Sequence, residues 1–162
     1  MGQYIANSVN SQNFSLIYKN QKAGELIYKK WYSFDAEIIL ADGSIHQLEP
    51  KGFWNSTIEL KNKFKTLLVF EMGWNGIIIK TFFKNEEGYL LKLNGLLGSK
   101  FVLIDTNKNE LLVAKTDFKW NKFNYDYTFE TSKDFDKLEN KTLIILTIIH
   151  CINYYLSTIS AG

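Results

Sequence analysis

The residues best suited to nucleophilic chemistry are two neighbours, His150 and Cys151. A catalytic Cys–His pair needs the two side chains within hydrogen-bond reach and the thiol in an accessible, electropositive setting. Neighbouring residues on a helix point about 100° apart, so these two do not face a common point. We interpret Cys151 as a small buried hydrophobe and His150 as a hydrogen-bonded core residue, and we predict that the protein is not an enzyme.

A metal site could be sought in the polar run that contains Asp105, Asn107 and Asn109, which places oxygen atoms at alternate positions. A calcium loop needs glycine at its sixth place and a bidentate carboxylate at its twelfth, where this chain has Glu110 and Thr116. The run therefore indicates an ordinary hairpin turn. No His/Cys cluster has zinc spacing, and we expect neither a metal nor a cofactor.

Two pairs of carboxylates could do general acid–base work: Asp35 with Glu37, and Asp134 with Asp136. Asp35 and Glu37 share one face of a predicted strand, whereas the second pair lies in a predicted loop. Such chemistry needs two carboxyl groups that face one cleft. The favoured interpretation is that all four are solvated surface groups.

Lysines offer a binding surface. Lys61, Lys63 and Lys65 alternate across a predicted turn, and Phe64 lies between two of them. Lysines beside exposed aromatic residues suit an anionic lipid surface, so these four residues are the candidate lipid-headgroup contacts. The alternative is that they only solubilise a turn, because acidic residues are interspersed along the chain.

Nucleic acid is a poor fit as a partner. All 19 basic residues are lysine, and the formal net charge is only +2. Arginine, the residue preferred for bidentate contacts to phosphates and base edges, is missing. We therefore expect no nucleic-acid binding.

The C-terminal segment 142–160 carries no charged residue. A helix of that kind is either buried on all sides or embedded in a membrane. Its polar residues follow one stripe at steps of three or four: Thr147, His150, Asn153 and Ser157. Polar groups are costly at the middle of a lone anchor, whereas a protein interior can supply partners. A buried helix is favoured over a C-terminal membrane anchor.

The rest of the chain reads as strands and turns. In 123–130 aromatic and polar residues alternate with the period of a half-buried strand. The tryptophans at 31, 54, 74 and 120 are 23, 20 and 46 residues apart, and three of the four precede an asparagine. This spacing indicates a repeated β-hairpin of about twenty residues. We interpret each Trp-Asn pair as a corner in which the indole caps the core.

Five such hairpins over about 13–120 and one further strand predict eleven or twelve strands. An open sheet of that size would expose two long edges, which closure into a barrel removes. So wide a barrel needs something in its lumen, and the apolar helix, set at about 136–160, can fill it. We predict one all-β domain over 1–162: a closed antiparallel barrel of 11–12 strands, about 13–130, that encloses the helix. The first dozen residues are interpreted as a frayed, polar start.

This pattern resembles the tubby C-terminal domain and the related phospholipid scramblase and LURP-one-related barrels. The resemblance lies in the hairpins with Asp and Asn turns, the Lys-Gly-Phe-Trp corner at 51–54, the segment FVLIDTNKNELLVAK and the closing apolar helix. The segments FKWNKFNYDYTFE and LTIIHCINYY are also similar to those of small bacterial proteins of this type. The resemblance implies the barrel fold and a contact with lipid headgroups, and it assigns no site residue.

The first functional hypothesis is a non-enzymatic intracellular module that contacts anionic lipid at a membrane surface. The alternative is a protein-interaction or scaffold domain without a small ligand. The N-terminus has no basic region followed by an apolar run, so no secretory signal is indicated. A cytoplasmic location, with or without membrane association, is expected.

Overall fold

The structure, a computed structural model, describes residues 1–10, 13–30, 34–51, 57–95 and 99–160. It contains twelve strands followed by two helices. The strands are β1 Gln3–Asn10, β2 Asn13–Tyr18, β3 Gln21–Tyr28, β4 Ala36–Leu40, β5 Ile45–Lys51, β6 Thr57–Lys61, β7 Thr66–Gly73, β8 Gly76–Thr81, β9 Glu87–Leu93, β10 Lys100–Asp105, β11 Glu110–Lys119 and β12 Asn124–Thr131. The helices are α1 Lys133–Asp136 and α2 Lys141–Ser160.

The twelve strands form one closed barrel in which each strand pairs antiparallel with the next. Closure is made by β1, whose Tyr4 lies opposite Tyr18 of β2 on one side and opposite Phe129 of β12 on the other. No strand is therefore left with an unpaired edge. The predicted fold class, a closed antiparallel barrel with a C-terminal helix, is confirmed.

The interpretation of the first dozen residues as a frayed start was wrong, because residues 3–10 form β1. Its side chains Tyr4, Ala6 and Ser8 alternate into the interior and are at most 1% exposed. Strand parity explains why β1 is needed. Without β1 the wall would have eleven strands, and its first and last strands would run parallel at the seam.

Helix α2 lies inside the barrel. Five of its aliphatic side chains have no exposed surface: Ile145, Leu146, Ile148, Ile149 and Ile152. The wall lies close to the helix at Gly24 of β3, where an added Cβ would lie 2.9 Å from Leu146 Cδ1. A larger residue at this position would require the Leu146 side chain to shift.

The predicted start of the helix at 136 was too early, because α2 begins at Lys141. The short helix α1 precedes it, capped by Ser132, whose hydroxyl accepts a hydrogen bond from the Phe135 amide. Asp134 and Asp136 thus lie in α1, not in a loop. Among the described residues, no helix combines the length and the apolar character that crossing a bilayer would need.

The barrel has two ends, which the direction of α2 defines. The helix starts at the end of the barrel where β12 finishes. We call this end the mouth, and the β6–β7 and β10–β11 turns also lie there. Tyr155, near the end of α2, contacts Phe101 at the start of β10, with ring centroids 5.7 Å apart. This contact marks the opposite end of the barrel, which we call the far end. The β7–β8 and β11–β12 turns also lie there.

Candidate functional site

The predicted lysine site lies at the mouth, in the β6–β7 turn. Asn62 holds this turn together, because its side-chain oxygen accepts hydrogen bonds from the backbone amides of Phe64 and Lys65, each at 2.9 Å. Phe64 is 92% exposed, and Lys63 and Lys65 are exposed beside it. We call Lys61, Lys63, Phe64 and Lys65 the β6–β7 tip.

Lys61 differs from the other two lysines of the tip. Its ammonium group lies 2.7 Å from a carboxylate oxygen of Glu49 and 4.0 Å from one of Glu59. The hydrogen bond that Lys61 donates to Glu49 raises the pKa of Lys61. The structure therefore directs Lys61 to acids on the barrel wall, and Lys63 and Lys65 are the lysines that face solvent with Phe64.

The far end carries exposed aromatic residues that the sequence reasoning had assigned to the core. Trp74 is fully exposed in the β7–β8 turn, and Trp120 and Phe123 are each 77% exposed in the β11–β12 turn. We call these three residues the aromatic rim. The interpretation of the Trp-Asn corners as core caps was wrong for Trp74 and Trp120. Trp54 of the third such pair lies outside the described residues, as does Trp31.

The physical reason is that other side chains close this end of the core. Tyr154 of α2 packs edge-to-face on Phe34, with ring centroids 4.6 Å apart, and Tyr155 packs on Phe101. The tight β7–β8 turn instead places Trp74 at its tip, between Gly73 and Gly76, which lie opposite each other.

The β11–β12 turn holds its aromatic residues in a defined arrangement. Trp120 and Tyr125 each pack edge-to-face on Phe118, with ring centroids 5.1 Å apart in both pairs. Phe123 has φ of 50°, which is a strained conformation for a bulky side chain. Strain of this kind persists where the surrounding structure imposes it and is found most often at functional sites.

The lysines of the β11–β12 turn are ion-paired. Lys119 lies 2.5 Å from Asp117, and Lys122 lies 3.6 Å from Asp126. Asp126 is fixed in turn by the backbone amide and hydroxyl of Ser8, at 2.8 and 2.9 Å. This turn therefore presents apolar surface with little net charge.

The polar residues of α2 find partners inside the barrel. Tyr127 donates a hydrogen bond to the side-chain oxygen of Asn153, whose Nδ2 donates to the Tyr28 hydroxyl at 3.0 Å. The Tyr28 hydroxyl lies 2.6 Å from Nδ1 of His150. Nε2 has no hydrogen-bond partner among the described residues.

Thr147 and Ser157, the other members of the polar stripe, make hydrogen bonds within α2. The Thr147 hydroxyl donates to the Leu143 carbonyl at 2.8 Å, and that of Ser157 donates to the Tyr154 carbonyl at 2.7 Å. His150 and Asn153 tie the helix to the strands, through Tyr28 and Tyr127.

His150 and Cys151 are both fully buried. Burial raises the pKa of the Cys151 thiol well above its usual value, so the sulfur stays protonated. Burial lowers the pKa of His150 to about 3, partly opposed by the Phe34 backbone, so the imidazole is neutral. This pair offers neither a thiolate nor an accessible base.

The buried His150 predicts that stability falls in mild acid. In the unfolded chain His150 takes up a proton below about pH 6.5, whereas in the folded chain its pKa is about 3. The unfolded state thus binds more protons over this window, and the free energy of unfolding drops by about 1.4 kcal/mol per pH unit. We expect a loss of about 2 kcal/mol between pH 7 and pH 5, measured by urea unfolding.

The control for this prediction is His150→Gln, whose side chain can form a hydrogen bond with the Tyr28 hydroxyl but does not titrate. The variant should lose much less stability than the parent over the same interval. Equal losses in parent and variant, or no loss in the parent, would contradict the prediction.

The candidate metal turn is closed by its own hydrogen bonds. One Asp105 carboxylate oxygen accepts from the backbone amides of Asn107 and Asn109, at 2.8 and 2.9 Å, and the other accepts from the Asn109 side chain. These bonds lower the pKa of Asp105. The run is a hairpin turn, and within the described ranges no group of three or more His, Cys, Asp or Glu residues could hold a metal ion.

The candidate acid–base carboxylates do not converge. Glu37 is bound to Lys29 at 2.8 Å, which is the main reason its pKa is lowered. Asp134 pairs with Lys137 at 2.8 Å. Asp136 accepts a hydrogen bond from Thr131 at 2.5 Å and lies near the terminal amino group. Each is satisfied separately, at a different place on the surface.

Comparison of the chain with protein-family models, with curated proteins and with solved structures found no match in any of the three. The resemblance to tubby-like barrels therefore stays a prediction from the sequence.

Proposed function

We propose that the protein is a non-catalytic module that docks on an anionic membrane surface through its aromatic rim. The observation that carries this proposal is the exposure of Trp74, Trp120 and Phe123 at one end of the barrel. Large exposed aromatic residues on a folded protein commonly mark an interaction surface. Tryptophan in particular is enriched where an apolar phase meets water, because its ring is apolar and its N–H is polar.

The form of the rim favours a bilayer over a shaped protein partner. Trp74 stands on the β7–β8 turn, and Trp120 and Phe123 stand on the β11–β12 turn, four turns further along the chain. Separate projecting tips need a partner that deforms around each of them, as the headgroup layer does. Removing a large apolar side chain from water is worth about 1.5–3 kcal/mol, so three partly inserted residues are enough for reversible docking.

The β6–β7 tip is the competing docking surface. Strand β7 joins this tip to the Trp74 turn, so the two lie at opposite ends of the barrel and cannot rest on the same flat membrane. We favour the rim because it carries three exposed aromatic residues, whereas the tip carries Phe64 alone and has Lys61 bound to acids.

Vesicle flotation with paired variants tests this choice. Trp74→Ser combined with Trp120→Ser should reduce binding to vesicles of mixed anionic and zwitterionic phospholipid at least tenfold. Both side chains are exposed, so the melting temperature should change little. The control removes the β6–β7 tip by Lys63→Gln, Phe64→Ser and Lys65→Gln, and it should float like the parent.

If the tip variant loses binding and the rim variant keeps it, docking occurs at the mouth. If the parent does not float at all, the membrane proposal fails and the protein-interaction alternative replaces it.

A further inference from the structure

The outer wall between the two aromatic turns carries three lysines on three adjacent strands: Lys92, Lys100 and Lys115. Lys100 lies directly opposite Lys115, and Lys92 lies opposite Val102, one diagonal step from Lys100. Like charges directly opposite across strands are destabilising. Such an arrangement is therefore unfavourable for the folded protein alone and favourable once an anion is bound.

These positive charges are poorly compensated. In the described part of the chain neither Lys92 nor Lys100 makes an ion pair, and Lys115 reaches only the exposed Glu130, at 3.4 Å. The contrast is with Lys119 and Lys122 on the next turn, which are both paired. The wall thus keeps cations available at the far end of the barrel.

A groove lined by both apolar and polar side chains adjoins Lys92, and Lys100 lies one diagonal step from Lys92. It has a volume of about 660 Å³ and follows β9 and β10 from Leu93 at the far end towards the mouth. Leu90 lies opposite Ile104, and Lys92 opposite Val102, so the middle of the groove has an apolar floor with a cation beside it, while Lys108 and Glu110 line the end of the groove at the mouth. The volume lies within the range of about 300–1,000 Å³ that is typical of ligand sites.

We infer that this groove binds one anionic lipid from the docked bilayer, with its acidic headgroup at Lys92 and Lys100 and one acyl chain along Leu90, Val102 and Ile104. The inference rests on the proposed function, which brings the far end to the membrane. Charge complementarity selects the headgroup, and the apolar floor selects the chain. The groove also begins at Asn75, next to Trp74 of the rim, so a lipid reaches it without crossing the barrel surface.

The test uses a soluble probe, dodecyl phosphate below its micelle concentration, titrated into the full chain by calorimetry without vesicles. The parent should bind it saturably, at one site, at least tenfold more tightly than hexyl phosphate and far more tightly than inorganic phosphate. Lys92→Glu with Lys100→Glu should weaken binding at least tenfold. The control, Lys63→Glu with Lys65→Glu, makes the same change of charge on exposed lysines of the β6–β7 tip, away from the groove, and should stay within twofold of the parent.

Two results would overturn the inference: no saturable binding by the parent, or equal losses in the two double variants. Equal affinity for hexyl and dodecyl phosphate would overturn the placement of the chain in the groove. Vesicle flotation of the parent separates this site from docking itself. If the parent floats but binds no dodecyl phosphate, the lipid site in the groove is contradicted and the docking proposal stands. If it binds the probe but does not float, the docking proposal is contradicted and the site in the groove stands.

Discussion

Ile148→Asp is expected to abolish cooperative folding. Ile148 is fully buried near the middle of α2, with barrel wall around it. An unpaired charge at such a site costs several kcal/mol, against a total stability of roughly 5–15 kcal/mol for a domain. The variant should be insoluble or should lose its melting transition in circular dichroism.

The matched control is Ile148→Val, which removes one methylene group and should cost about 0.5–1.5 kcal/mol. A thermal melt of Ile148→Asp that overlays that of the parent would mean that this face of α2 does not lie in a core.

Removal of the helix should have an effect of similar size. A chain that ends at Asn140 keeps all twelve strands but leaves the lumen empty, and a barrel of this width cannot be filled by its own side chains. We expect this chain to show no cooperative unfolding in urea. A peptide of residues 141–160 should restore part of the signal, because it supplies the missing core. A truncated chain that unfolds cooperatively by itself would show that the barrel folds without α2.

The barrel could be predicted because its signals are periodic. One architecture accounts for three features of the sequence: the alternation along 34–40 and 123–130, the recurring turns and the uncharged C-terminal segment. β1 was missed because its inward residues Ala6 and Ser8 are small or polar and do not stand out as an apolar face. A closed barrel in which all neighbouring strands are antiparallel must have an even number of strands, and this requirement could have identified β1 as the twelfth.

The site could be predicted only in part, because side-chain direction in a turn depends on geometry that composition does not determine. Trp74 precedes an asparagine, which is the pattern interpreted in the sequence as a core-capping tryptophan. Its two-residue turn nevertheless places the indole in solvent. Gly76 permits this turn: it has φ of 144°, and an added Cβ would lie 2.4 Å from the Leu91 carbonyl oxygen. Likewise, the pairing of Lys61 with Glu49 depends on the register of β5 and β6.

The lysines of the outer wall near the far end could not be predicted from local sequence either. Lys92, Lys100 and Lys115 are spread over 24 residues of sequence and meet only because β9, β10 and β11 are neighbours in a particular register. The lysines that attract notice in the sequence are those that alternate locally, such as Lys61, Lys63 and Lys65. Contacts across strands, not local spacing, decide which positive charges remain uncompensated.

Insertion of the rim into a bilayer can be measured by fluorescence quenching with phospholipids brominated on the acyl chain close to the headgroup. The emission of Trp74 and Trp120 is the difference between the spectrum of the parent and that of the Trp74→Phe, Trp120→Phe variant, which keeps an apolar rim. On anionic vesicles this difference emission should shift to shorter wavelength and be quenched by the brominated lipid. Difference emission that keeps its position and intensity when the protein is bound to the brominated vesicles would contradict docking through the rim.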